Sequence, residues 1–344
     1  MTTQAPHHRG SAPSTAELAI SARGLRKTYR NHKGRHVAVA GLDLDVPLGG
    51  VHGFLGPNGS GKTTTIRMLL GLIRADAGTM TIFGSEIPKH LPEVVDRVGA
   101  IVESPKFFPA FSGRKNLQLL AEAIGRPKGI VDEILEQTGL GERGKDKYRT
   151  YSLGMKQRLG IAGALLGEPT LLILDEPTNG LDPAGIRDMR ALVRLLAQDG
   201  PTVLISSHLL AEVQQVCDWL VVIEHGRLVF QGPTARLLAG GDELTLRCEH
   251  LADLPRLQGL LTGRGLVATL ADDRVHVELA GANAISGRSG LNGLLGEINR
   301  AAMAEQVTLV ELTITRASLE ERYLTLTKKP TEEPTADSTE VGAR

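Results

Sequence analysis

The segment Gly56-Pro57-Asn58-Gly59-Ser60-Gly61-Lys62-Thr63 has the residue types and the spacing of a phosphate cradle. Glycines without side chains let consecutive backbone N–H groups close around phosphate oxygens, and a helix opening at Lys62 adds the positive end of its dipole. Lys62 would supply a point charge to β- and γ-phosphates, and the Thr63 hydroxyl can ligate Mg²⁺. A second group with matching chemistry is Asp175-Glu176, delivered by the apolar run Leu171-Leu172-Ile173-Leu174. Carboxylates at the carboxyl end of a buried strand sit where α/β sheets place their ligands. Asp175 is expected to hold Mg²⁺ through water, and Glu176 to orient and deprotonate an attacking water. The chemistry these two groups could do together is hydrolysis of a nucleoside triphosphate.

Both motifs need a scaffold of strands and helices to bring them together. Residues 51–55 read as a strand running into the glycine-rich turn, and 62–70 as a helix with Gly71 near its end. The runs 171–174 and 202–205 suit buried parallel strands. Short apolar strands alternating with amphipathic helices predict an α/β fold with a mostly parallel sheet. The stretch 106–166 lacks strand signals and reads as a helical subdomain inserted between two core strands. The pattern changes near Gly240-Gly241. Strands at 243–247, 266–270, 274–278 and 307–314, with helices at 250–261 and 290–303, give a β-α-β-β-α-β series, the split βαβ order of a small α+β domain. A last helix is expected at 317–326. The expected organisation is a flexible lead-in at 1–17, a nucleotide-binding domain at 18–240, an accessory domain at 242–327 and a solvated tail at 328–344.

Composition narrows the function classes. The 344 residues suggest about two domains at ~150 residues each. Lysine plus arginine and aspartate plus glutamate each total 39, so nothing marks the chain as a nucleic-acid binder, and no nucleic-acid partner is expected. Two cysteines, Cys217 and Cys248, cannot build a disulfide framework or a four-thiolate metal site, and they read as reduced packing groups. No uncharged apolar stretch of about 18 residues is present, so the chain is not expected to cross a membrane by itself.

A third segment discriminates among nucleotide hydrolases. Tyr151-Ser152-Leu153-Gly154-Met155-Lys156-Gln157-Arg158 resembles the signature of ATP-binding cassette (ABC) transporters, L-S-G-G-Q followed by Q-Q-R. With the phosphate loop, Asp175-Glu176-Pro177-Thr178, Asn179-Gly180-Leu181-Asp182-Pro183 and Ser206-Ser207-His208, all in that family's order, the resemblance covers about 18–240. It is similar above all to the cassettes of bacitracin-resistance-type and drug exporters, whose signature tends to read S-L-G-M-K-Q-R. The resemblance implies a P-loop nucleotide-hydrolase core and an ATPase that powers a separately encoded membrane permease, working in efflux of antibiotics or toxic compounds. Such a subunit would be cytoplasmic, held at the inner face of the membrane by its permease.

The resemblance also implies roles for residues. ATP would be bound by the loop from Gly56 to Thr64, with Thr64 beside Thr63, and Tyr29 would stack on the adenine. Ser152 and Gly154 open a helix and would meet the γ-phosphate held by another copy's loop, so a complete site needs a second cassette, expected to be an identical chain. Asp182 would touch the opposite site, and His208 would contact the γ-phosphate and hold Glu176 and the water. The family's usual glutamine after the strand at 98–102 aligns with Glu103 here, expected as a third Mg²⁺ ligand with Thr63 and Asp175, and its carboxylate brings charge that an amide lacks. In the signature, Leu153 and Met155 replace the usual first glycine and the glutamine. Two rival readings are a non-transport cassette ATPase and a module that binds ATP for regulation with little hydrolysis. His7, His8 and His32 read as solvated, Trp219 as core, and the cluster Arg143, Lys145, Lys147 and Arg149 as an exposed loop.

Overall fold

The computed structural model describes residues 18–31, 34–103, 106–198, 200–238, 243–279, 287–315 and 323. The expected lead-in, the tail, His7, His8, His32, Gly240-Gly241 and, apart from Tyr323, the helix at 317–326 lie outside them. By its contacts the chain divides into Met1–Arg236 and Leu237–Arg344.

In the first unit, β1 (Leu18–Asn31) and β2 (Gly34–Pro47) form a long antiparallel hairpin, and β4 (Ala77–Ile82) and β5 (Ser85–Glu86) extend it to a sheet of order β2-β1-β4-β5. Alternating burial of Leu42, Leu44 and Val46 turns one face of β2 to the core. The second sheet has the order β10-β9-β3-β8-β7-β6. Its members are β3 (Val51–Leu55), β6 (Val98–Ile101), β7 (Leu171–Asp175), β8 (Thr202–Ser207), β9 (Trp219–Glu224) and β10 (Arg227–Pro233). Every neighbour pair is parallel except β9 with the edge strand β10. Strands β3, β7 and β8 are buried at every residue, as strands covered on both faces must be. The antiparallel sheet is an addition to the mostly parallel core that the sequence predicts.

The helices α1 (Lys62–Leu69), α2 (Leu91–Val94), α3 (Gly113–Ala123), α4 (Ile130–Gln137), α5 (Leu153–Leu165), α6 (Pro183–Gln198) and α7 (Leu210–Val213) complete this unit, and α8 (Thr234–Leu238) runs across the sequence boundary at Arg236. Helices α3 to α5 fall between β6 and β7, where the helical insertion is expected. One apolar cluster joins the two sheets to α1 through Leu42, Leu44, Phe54, Ile66, Leu69, Ile173 and Leu204. Trp219 packs half-buried on its edge. Because β8 lies between β3 and β7, the carboxyl ends of these three strands open onto one crevice, with Leu55 beside Ser207 and Ser206 beside Asp175.

The second unit runs β11 (Glu243–Cys248), α9 (Leu254–Thr262), β12 (Val267–Ala271), β13 (Arg274–Glu278), α10 (Gly287–Ala304) and β14 (Leu309–Thr315). Its sheet order, β12-β13-β11-β14, is antiparallel throughout. The third strand sits between the first two, which is the split βαβ arrangement expected from the sequence. Leu244, Leu246, Val275 and Val277 bury one face of the sheet against Leu257, Leu261, Ile298 and Ala302. Cys217 and Cys248 are free and buried, and burial pushes both thiols up from their ordinary range, so both are poor nucleophiles.

Candidate functional site

The buried strand β3 delivers the chain to Gly56, where a Cβ would stand 2.3 Å from the Ile223 carbonyl oxygen. Gly61 has φ +106° and its Cβ would meet the Ala38 carbonyl oxygen at 2.4 Å. Both positions therefore exclude side chains. Ser60 is buried, its N–H bonded to Pro57 O (3.1 Å) and its carbonyl accepting from Gly226 N (3.0 Å). Lys62 then opens α1 and curls back over the loop, its Nζ donating to Gly56 O (2.8 Å) and Pro57 O (3.3 Å). Gly61→Ala is expected to weaken Mg·ATP binding more than about tenfold, because the loop must shift to relieve both the clash and the left-handed backbone. Titration calorimetry on folded variant protein checks this.

Asp175 ends β7 with both carboxylate oxygens engaged: Oδ2 accepts from Thr63 Oγ1 (2.9 Å) and Oδ1 from Ser206 Oγ (2.5 Å). The Ser206 oxygen also accepts from Glu176 N at 2.9 Å, so one hydroxyl fixes both acidic residues. Glu176 adopts φ +50°. It bridges two partners, with Oε1 3.2 Å from Lys62 Nζ and Oε2 2.8 Å from His208 Nδ1. With the carboxylate as acceptor, Nδ1 of His208 carries the proton and Nε2 is left for another partner. The result is a continuous chain, Lys62 to Glu176 to His208, across the mouth of the phosphate loop. Lys62 is almost fully buried, and its charge is met here by the carboxylate of Glu176.

Lys62, Thr63, Glu176 and His208 line a cleft of about 330 Å³ with Tyr29, His36, Ala38, Asn58, Gly59, Gly61, Thr64 and Asn179. Tyr29 is exposed, and Lys27 Nζ lies over its ring, 5.9 Å from the centroid. Lys27 is held there by Arg74 O (2.6 Å) and Asp76 Oδ1 (3.0 Å). The hydrogen bond from Lys27 draws the Asp76 carboxyl below its ordinary range.

Four expected residues lie elsewhere. Ser152 caps α5, its Oγ accepting from Met155 N at 3.3 Å, and Asp182 caps α6, its Oδ1 accepting from Gly185 N at 2.8 Å. Together with Gly154 they line a separate groove of about 520 Å³ that shares no residue with the phosphate cleft. A Cβ on Gly154 would meet only Leu181 Cδ2, at 3.8 Å, so nothing among the described residues requires glycine there. Glu103 follows β6, whose Ile101 stands beside Leu174 of β7, and it makes no hydrogen bond to Asp175. With φ +67° it turns its exposed carboxylate to an ion pair with Arg67 of α1. It stands at one end of a third groove, about 740 Å³, with Phe107, Phe108, Asn116 and Leu120.

Three residues in or beside the cleft had no role assigned from sequence. Ser206 and Asn179 lie in motifs of the resemblance, but their places beside Asp175 and in the cleft come only from the fold, and His36 is identifiable only from the β1–β2 register. The Thr63 hydroxyl beside the Asp175 carboxylate is a pair of hard oxygen donors of the kind Mg²⁺ accepts, with substrate and water completing its shell. Among the described residues no cluster of three or more histidine, cysteine or acidic side chains offers a different metal a site.

The family model described as "ABC transporter" matches residues 39–179. The chain is 38% identical over 314 residues to the bacitracin transport ATP-binding protein BcrA of Bacillus licheniformis, covering 89% of this chain and 96% of that one. It is 35% identical to the daunorubicin/doxorubicin resistance ATP-binding protein DrrA of Streptomyces peucetius, over 92% of this chain and 94% of that one. Among solved structures it is similar to cbiO1 from Clostridium perfringens, part of the ABC transporter complex cbiONQ, with a TM-score of 0.57 and 28% identity over 64% of this chain and 90% of that one.

Proposed function

From the premise that the chain belongs to the ABC transporter family, as one of its ATP-binding proteins, we propose that it hydrolyses Mg·ATP to drive a separately encoded permease. The observation that carries this is the Lys62–Glu176–His208 chain laid across a phosphate loop. A triphosphate entering the loop offers Lys62 a stronger set of oxygens than one carboxylate, and so releases Glu176. Freed, Glu176 orients a water against the γ-phosphorus and takes its proton, while His208 holds the carboxylate and contacts the γ-phosphate. ADP is the leaving group. Mg²⁺, held by Thr63 and Asp175, would neutralise developing charge on the phosphates. The rest is positioning and electrostatics.

The signature groove completes the site in trans. Ser152, Gly154 and the α5 N-terminus lie apart from this chain's own loop, and the open space over Gly154 leaves room for a phosphate to approach. Two identical chains, head to tail, would close over two ATP molecules, with Asp182 reaching toward the opposite site. The groove at Glu103 is exposed and partly aromatic, with Phe108 60% accessible, which suits an apolar segment of the permease. Among the described residues no helix is long and apolar enough to cross a membrane, and the protein would sit on the cytoplasmic face through that partner. The relatives named for bacitracin transport and daunorubicin/doxorubicin resistance support antibiotic efflux as the cargo class.

The test is phosphate release by the purified protein, alone and with the membrane protein it captures from detergent extract. Steady hydrolysis, stimulated by that partner, is expected. Stoichiometric ATP binding without turnover in either setting would replace this reading with a regulatory module.

A further inference from the structure

Tyr29 and His36 stand directly opposite each other in the β1–β2 hairpin. Residues opposed in an antiparallel ladder carry their side chains on one face, with Cβ atoms about 4.5–5.5 Å apart. Both line the cleft that contains Lys62 and Thr63, and both are exposed. His36 makes no hydrogen bond or ion pair among the described residues, so the fold does not explain its orientation toward this cleft.

Strand β2 shows where along a nucleotide His36 would fall. Ala38 lines the same cleft and its carbonyl oxygen abuts Gly61 of the phosphate loop. The register shifts at Ala38, the extra residue of β2 between the Val37–Thr28 and Val39–Lys27 pairs, so the shared face is read from the cleft that His36 and Ala38 both line, about 7 Å apart along the strand. That face of β2 therefore runs outward from the phosphate end of the cleft at Ala38. It reaches His36 where Tyr29, with Lys27 over its ring, already forms one ring of a wall. A nucleotide with its phosphates in the loop must extend its base along this path.

We propose that His36 is a specificity-determining residue, pairing with Tyr29 to form a two-ring wall against which the nucleotide base lies. The proposal rests on the ATP-binding reading above and adds to it a residue at the base end. The imidazole acts as a flat ring at the base and not as a cation at the phosphates, because the phosphate end is supplied by Lys62 and the loop N–H groups. The wall favours nucleotides with a large flat base over phosphate chains that lack one.

The experiment is titration calorimetry of Mg·ATP and of inorganic tripolyphosphate with the unaltered protein and with His36→Ala, His36→Phe, Tyr29→Ala and Lys62→Met. His36→Ala is expected to weaken Mg·ATP by about tenfold, in the range of losing one ring stacked on a base, and to leave tripolyphosphate unchanged. His36→Phe keeps a ring, and its Mg·ATP affinity is expected to stay within about twofold of the unaltered protein. The proposal is overturned if His36→Ala binds Mg·ATP as the unaltered protein does. It is equally overturned if tripolyphosphate weakens as much as Mg·ATP, or if His36→Phe is as weak as His36→Ala. Failure of the parent reading looks different: the unaltered protein would then take up no Mg·ATP, or Lys62→Met would bind it normally.

Discussion

Glu176→Gln is expected to lower phosphate release by roughly 10²–10⁴-fold, the span that a positioned proton acceptor contributes. The amide keeps the shape of the side chain and one oxygen for His208, which lies 2.8 Å from the native carboxylate. It cannot take a proton from water. ATP binding should persist, since Lys62 loses only the partner that the triphosphate displaces. The consequence is an ATP-loaded dimer with no route to reopen, visible as a stable doubled mass in size-exclusion chromatography with light scattering. Full turnover by this variant would remove Glu176 from the chemistry and leave the carboxylate as a placeholder for the Lys62 charge.

Lys62→Met is expected to weaken Mg·ATP binding by about 10–100-fold, because hydrogen bonds to a charged group carry ~1.5–3 kcal/mol. Methionine reproduces the length and apolar stem of lysine, so the change isolates the ammonium. Lys62 is 5% exposed and its Nζ reaches two loop carbonyls as well as Glu176. That raises a competing account in which the ammonium only braces the loop. The two accounts separate in a thermal melt. Loss of bracing lowers the melting temperature of the free protein, whereas loss of a phosphate partner abolishes the stabilisation that added Mg·ATP confers. Normal affinity with a lowered melting temperature would favour bracing and contradict the phosphate role.

Parts of this architecture are legible from sequence because their signals are local. The strand at Val51–Leu55, the glycine turn and the helix from Lys62 announce themselves by a buried apolar run followed by residues that only a tight turn needs. The strand ending in Asp175 is legible for the same reason. So is the strand and helix order of the second unit, where apolar periods switch cleanly between 2 and 3.6. The β1–β2 hairpin is harder to read. Its strands are 14 residues each, and shifts in register near Gly24 and Gly41 break the alternation that would mark them. Ser206 shows the limit from another side: it stands in a motif of the resemblance, but its bond to Asp175 cannot be read until β8 is known to lie beside β7. Glu103 shows it once more. The resemblance suggests a metal ligand, but the backbone there is left-handed and the carboxylate is ion-paired with Arg67, four residues past Thr63.

Because the signature lies apart from the phosphate loop, one chain is expected to carry both halves of the site and to complete neither alone. The most direct measurement is the structure of the Glu176→Gln protein crystallised with Mg·ATP. Triphosphate bound by Lys62 of one copy and capped by the partner's Ser152, twice over in a head-to-tail pair, is the arrangement predicted. Nucleotide enclosed by a single chain, or a pair in which the signature helices face away from the loops, would contradict it.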